Sequence, residues 1–378
     1  MIKRKCILLA ILIEIITNPA FCQLDNRSFY EEINQDTLSK GEYKVHLDYA
    51  GFLKNNEYFT KITDGYTLFG THITPTIQYQ IHPNFKISAG AFLWKNFGEN
   101  GIHQLEPIFT ARFHKGTNQL LMGTLDGGLS HNLIEPLYDF ENQWVRRLEN
   151  GFQWKHKSSN LELDTWVDWR NMITQNSNEQ EKIVGGLNVG IQLLEKDKFK
   201  ITAIFQGTAY HQGGQIDTTR LPLTTWFNGA TGISATWDIG KDGAIHNLNF
   251  QGFLVGFKDN SNTLQLPFSS GKAFYLTALA KAKWIDVMVN YWEGNQFTTL
   301  QGGKLFRSIS SNIKEPGYYE KTRKLILIRM LKDFKIAENL FISARLEPYY
   351  DLSNKFWEFS HGLFFTYRGN LAKSKTKS

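Results

Sequence analysis

The sequence predicts an all-β fold, a transmembrane antiparallel up-and-down β-barrel of about 16 strands, with 14 to 18 compatible with the pattern. Three observations carry this. Apolar and polar residues alternate with a period of two from Gly41 to Arg368, with little interruption. The connections alternate between tight turns and long loops. Composition supplies the third: 28 Phe, 15 Tyr and 10 Trp stand against 9 Pro and 2 Cys, a mixture that favours strands over helices. With 42% hydrophobic and 21% charged residues, the 378-residue chain is too polar for a bundle of membrane helices.

The amino terminus reads as a secretion signal. Lys3, Arg4 and Lys5 precede an apolar run from Cys6 to Ile13, and Ala20 and Cys22 occupy the two positions read by a signal peptidase. A signal peptide over 1–22, cut before Gln23, follows, with a retained anchor or a lipidated Cys22 as alternatives. No cysteine then remains in an oxidising compartment, so stability is expected from a closed sheet in which every backbone group is paired. Residues 23–40 read as a periplasmic lead with one short helix near Phe29 to Asn34, 41–368 as the barrel, and 369–378 as a basic tail. The formal charge of +6 gathers at the two ends, in Lys3, Arg4 and Lys5 and in Lys373, Lys375 and Lys377. A nucleic-acid binder would carry that excess in clusters on its body.

Each strand is justified by parity. From Phe85, the outward set is Phe85, Ile87, Ala89, Ala91 and Leu93; from Phe199, it is Phe199, Ile201, Ala203, Phe205, Gly207 and Ala209. Strands are expected near 41, 66, 85, 104, 118, 143, 160, 182, 197, 222, 244, 271, 283, 318, 339 and 355, although no turn signal separates those near 271 and 283. Tight connections fall near 82–84, 114–117, 157–159, 195–198, 240–243 and 333–338. Longer ones fall at 96–103, 129–142, 174–181, 211–221, 258–270 and 294–317. Pro75, Pro107 and Pro348 lie inside proposed strands, each removing a ladder donor, so bulges are expected there.

Short turns on one rim and long loops on the other are the habit of outer-membrane barrels. From Gly41 to Arg368 the chain resembles porin-like outer-membrane β-barrel proteins of Gram-negative bacteria, a resemblance of pattern that names no narrower family. It departs from them at the carboxyl end, where Phe364, Phe365 and Tyr367 are followed by Arg368 and the lysine tail. The resemblance implies residence in the outer membrane after secretion, and lipids around the wall. Trp144, Trp154, Trp169, Trp284, Tyr291, Trp357 and Tyr367 are expected to form aromatic girdles. It further implies diffusion or export of small polar solutes, such as saccharides, through the lumen. The alternative is a closed scaffold binding envelope protein partners; nucleic acid is not an expected partner.

Candidate sites come from inward positions. A hairpin turn at Lys157-Ser158-Ser159-Asn160 would face Lys155 with Glu162, Gln153 with Asp164, Gly151 with Trp166, Glu149 with Asp168, and Arg147 with Arg170. Arg147, Glu149, Asp168 and Arg170 would then line a charged constriction or a salt-bridge ladder. Tyr210, His211, Gln212 and Gln215, where a strand passes into an external loop, offer hydrogen bonds and a stacking surface for a ligand. The loop 129–142 carries Glu135, Asp139 and Glu141 with no Lys or Arg, and reads as a solvated or cation-attracting surface. No histidine pair has metal-ligand spacing, so neither metal nor cofactor is expected. Inward Ser88, Ser343 and Ser360 have no His nearby on their own face. A lipid hydrolase is the lesser alternative, and the chain reads as a non-enzyme.

Overall fold

The computed structural model describes residues 23–30, 38–240 and 242–375. The expected signal peptide, with Ala20 and Cys22, and most of the short helix expected near Phe29 to Asn34 lie outside these residues. Sixteen antiparallel strands close into one barrel, each paired with its neighbours in sequence and β1 with β16. They are β1 (Glu42–Phe59), β2 (Asp64–His82), β3 (Phe85–Asn96), β4 (Gln104–Lys115), β5 (Asn118–Thr124), β6 (Asn150–Lys157), β7 (Leu161–Asn171) and β8 (Glu181–Lys196). They continue as β9 (Phe199–Gly213), β10 (Thr224–Asp238), β11 (Ile245–Asp259), β12 (Ser270–Ala282), β13 (Asp286–Asn295), β14 (Thr322–Ala337), β15 (Leu340–Asp351) and β16 (Phe356–Lys375).

The expected alternation holds around the wall. Phe205, Phe227, Phe250, Leu254 and Phe274 are exposed on the outside, whereas Thr202, Gln206, Asn228, Asn249 and Gln251 are buried inside. The ladders lapse beside two of the three strand prolines. The β2–β3 register skips from Ile73 to Thr76 around Pro75, and β14–β15 skips from Leu327 to Met330 opposite Pro348. β16 runs through the expected tail, pairing Lys375 with Glu42.

The strand expected near 143 is displaced. β6 begins only at Asn150, and the chain between β5 and β6 turns into the lumen instead of forming an external loop. It carries a 3₁₀ turn at Gly128–His131 and a one-turn helix α1 at Asn142–Val145. The lead and the β13–β14 connection enter the same space. Gln23 Nε2 donates to the Leu133 and Tyr138 carbonyls at 2.8 and 2.9 Å, and Asp139 N–H donates to the Gln301 carbonyl at 2.9 Å.

The lumen therefore holds a core. Trp144, expected in a lipid-facing girdle, is fully buried and stacks on Phe364 at 4.8 Å, with Phe29, Phe52, His72 and Phe140 around it. Removing so large a buried ring costs roughly 3–5 kcal/mol. The acidic loop is neither solvated nor free for a cation. Glu135 pairs with Arg329 of β14 at 3.1 Å and Glu141 with Lys54 of β1 at 2.8 Å, so charges of the wall anchor the plug. Trp154, Trp169, Trp284 and Trp357 do stand exposed on the outside.

Candidate functional site

The four charges expected at a constriction are only partly brought together. The hairpin turn is centred one residue later than expected, because Ser158 N–H donates to the Leu161 carbonyl at 2.9 Å. The register therefore moves by two residues, pairing Lys155 with Asp164, Gln153 with Trp166 and Gly151 with Asp168. A shift of two preserves which side chains face in. Arg147 and Glu149, however, precede β6 and belong to the plug. Arg147 crosses the lumen to Asp48 at 2.5 Å, while Arg170 pairs with Asp168 at 3.0 Å. Glu149 turns to His131, whose ring is clamped between Glu149 and Asp164 at 2.8 Å each and stacked on Trp166. Burial disfavours the imidazolium, but the two carboxylates prevail and hold its pKa up at about 9. This is a structural clasp with no room for substrate, since His131 is 0% exposed.

The loop-side candidates also separate. Tyr210 and Gln212 face inward, with the tyrosine hydroxyl donating to Gln212 and Gln212 Nε2 donating to Gln180 at 2.9 Å. His211 lies on the opposite face of β9, its Nδ1 2.9 Å from the Thr225 hydroxyl, and Gln215 is exposed in the following loop. Among the described residues, no group of three or more His, Cys, Asp or Glu is disposed to hold a metal.

A different constellation stands on the outside of the barrel. β16, β1 and β2 place His361, Asn55 and Thr67 in one row, with Asn55 directly opposite both partners. All three lie on the outward parity, and His361 and Thr67 are exposed. Thr67 donates its hydroxyl to Asn55 Oδ1 at 2.8 Å, and Asn55 Nδ2 donates to Glu57 Oε1. The surroundings are apolar: Phe359 stacks on the His361 ring at 6.0 Å, and Leu346 and Leu363 are exposed alongside. His361 lies four residues from Trp357 towards the short-turn rim, about 13 Å of strand, so if that tryptophan marks the headgroup boundary the row sits at acyl-chain depth. Polar side chains facing lipid at this depth are costly, and such positions mark function. The signal was present in the sequence as polar residues on an otherwise greasy parity, at Asn55, Glu57 and His361.

A closed sixteen-stranded wall with an apolar belt and a rim of long loops defines an outer-membrane β-barrel of a Gram-negative bacterium. Its backbone is similar to those of OpdL from Pseudomonas aeruginosa (TM-score 0.51, 12% identity, 87% of this chain and 99% of that one covered) and OprD from the same organism (0.50, 11%, 89% and 98%). OmpT of Vibrio cholerae is similar too (0.51, 10%, 88% and 99%). At such identities the likeness concerns the fold alone. No curated protein matches the sequence. The chain belongs to the Lipid A 3'-O-deacylase-type family, whose sequence profile matches residues 33–375. That is a family of enzymes, and membership corrects the expectation of a non-enzyme. That expectation rested on the inward face, where Ser88, Ser343 and Ser360 have no His nearby. A lipid substrate, in contrast, meets the outward one.

Proposed function

We propose that this chain hydrolyses an acyl ester of an outer-leaflet glycolipid of the lipid A class, on the outside of its wall. The observation that carries the reading is the lipid-facing polar row of His361 beside Asn55 and Thr67, in which Thr67 and Asn55 are hydrogen-bonded. His361 serves as general base, its imidazole taking a proton from water as the oxygen attacks the ester carbonyl carbon. The proton then passes to the departing alkoxide as the tetrahedral intermediate collapses to acid and alcohol. Asn55 keeps one amide hydrogen beyond its bond to Glu57 and offers it to the developing oxyanion. Glu57 and Thr67 are positioning residues that fix the Asn55 amide.

The test is mass spectrometry of purified lipid A incubated with the detergent-solubilised protein. The wild type is expected to release fatty acid, and His361→Ala to lower the rate by about 10²–10⁴, the usual weight of a general base. A silent wild type, or an undiminished His361→Ala, overturns the assignment.

The sequence's first suggestion, passive diffusion of polar solutes, draws support from the porin-like wall but meets a lumen occupied by three segments. Beside them lies a cavity of about 190 Å³ lined by Asp48, Lys86, Arg112, Asp126 and Arg147. Planar-bilayer recording is expected to show no steady current; a steady unitary conductance reinstates the channel.

A further inference from the structure

A second polar row lies on the lumen side of the wall, directly behind the outward one. Asn56 stands opposite Ser360 of β16 and Tyr66 of β2, just as Asn55 stands opposite His361 and Thr67. The two rows share three strands and are offset by one residue, about 3.3 Å, because neighbouring side chains on a strand leave from opposite faces. A shift of the inward row therefore moves the outward one. The ladder also gives out just beyond this height. β1 and β2 pair regularly up to Asn56 and Tyr66, after which the register lapses until Phe59 meets Asp64. β1 and β16, for their part, are the first and last strands, the seam at which the barrel closes. The end of a ladder is where a sheet opens most readily, so backbone pairing alone restrains the row least on its β2 side.

A residue of the plug supplies the missing restraint. Glu141 Oε1 accepts from Asn56 Nδ2 at 2.6 Å and from Lys54 Nζ at 2.8 Å, and its Oε2 accepts from the Tyr66 hydroxyl. Lys54 Nζ donates in turn to the Ser360 hydroxyl at 3.3 Å. One carboxylate thus ties β1, β2 and β16 together immediately behind the outer row. Neutralising charge asks for Lys54 alone and leaves the bonds from Asn56 and Tyr66 unexplained. The place of Glu141 is itself fixed: it directly precedes α1, whose Trp144 stacks on Phe364 and whose Asn142 Nδ2 donates to the Gln301 carbonyl at 2.6 Å.

We infer that Glu141 is a positioning residue for the outer site: acting through the wall from the lumen, it fixes the spacing of His361 and Asn55 on which hydrolysis depends. The inference rests on the reading of His361 as the base. Base and oxyanion donor must keep their separation while charge develops on the ester, and a misplacement of about 1 Å costs up to about 10² in rate. The plug that fills the lumen thereby also sets the chemistry on the opposite face of the wall.

The test measures lipid A deacylation by the full-length, detergent-solubilised protein carrying Lys54→Met and Glu141→Leu together, a pair that removes the ties without leaving either partner's charge unmatched. Its kcat is expected to fall about 10–10²-fold at unchanged KM, since the outer surface that meets lipid is untouched. In a His361→Ala background the same pair is expected to alter the residual rate less than about twofold, a coupling that a role in stability alone does not produce. Heat-modified gel migration verifies folding. If the pair does not assemble, Tyr66→Phe removes one tie, with a fall in kcat of about fivefold expected. Wild-type kcat in the folded variant, or an equal fall in the absence of His361, overturns this inference and leaves the base standing. An undiminished His361→Ala overturns both.

Discussion

Phe52 and Asn55 stand three residues apart on β1, and each occupies a place where the other's chemistry is expected. Phe52 faces the lumen, where a water-filled barrel would put polar groups, and packs against His72 and Trp144. Asn55 faces lipid and hydrogen-bonds Thr67. The contrast shows that parity decides which way a side chain points and leaves open what meets it there. The lumen is apolar where the plug is held, and the outer wall is polar at Asn55, Thr67 and His361.

The largest expected effect tests the inner half of this contrast. Lys54→Met strands Glu141 among buried groups and should cost roughly 3–5 kcal/mol in denaturant unfolding, whereas adding Glu141→Leu should recover much of it. Loss without recovery would mean that the pair supplies more than mutual neutralisation. A smaller effect comes from the His131 clasp. Its folded pKa of about 9 lies above the ordinary 6.5, so its stabilisation is full below about pH 6.5 and is lost as pH rises through about 9. Unfolding followed across that window should show the decline, and His131→Gln should flatten it. The smallest effect addresses the outer half. His361→Leu should raise stability by about 1 kcal/mol or less while abolishing turnover, because a lipid-facing imidazole is tolerated for its chemistry. A destabilised His361→Leu would instead make the ring structural.

The wall was legible in the sequence because a period of two is a local property. Strand number, facing and closure through short turns follow from it, and the lapses beside Pro75 and Pro348 follow from the donor that proline lacks. The plug was not legible, since Trp144 and Glu141 obey no period and their partners Phe364 and Lys54 lie far away in the chain. Hairpin register failed at Ser158, where one residue in the turn decides between two pairings with the same facing. The site was half visible. His361 breaks an apolar parity, but only the closure of β16 on β1 brings it beside Asn55.

The contact between Phe29 and Phe364, with ring centroids 5.2 Å apart, bears on how the molecule is made. One ring belongs to the earliest-synthesised part of the described chain and the other to its final strand. A nascent polypeptide lacking its last strand therefore cannot complete its interior, and truncation near the carboxyl end should leave a species whose leading segment is exposed to periplasmic proteases.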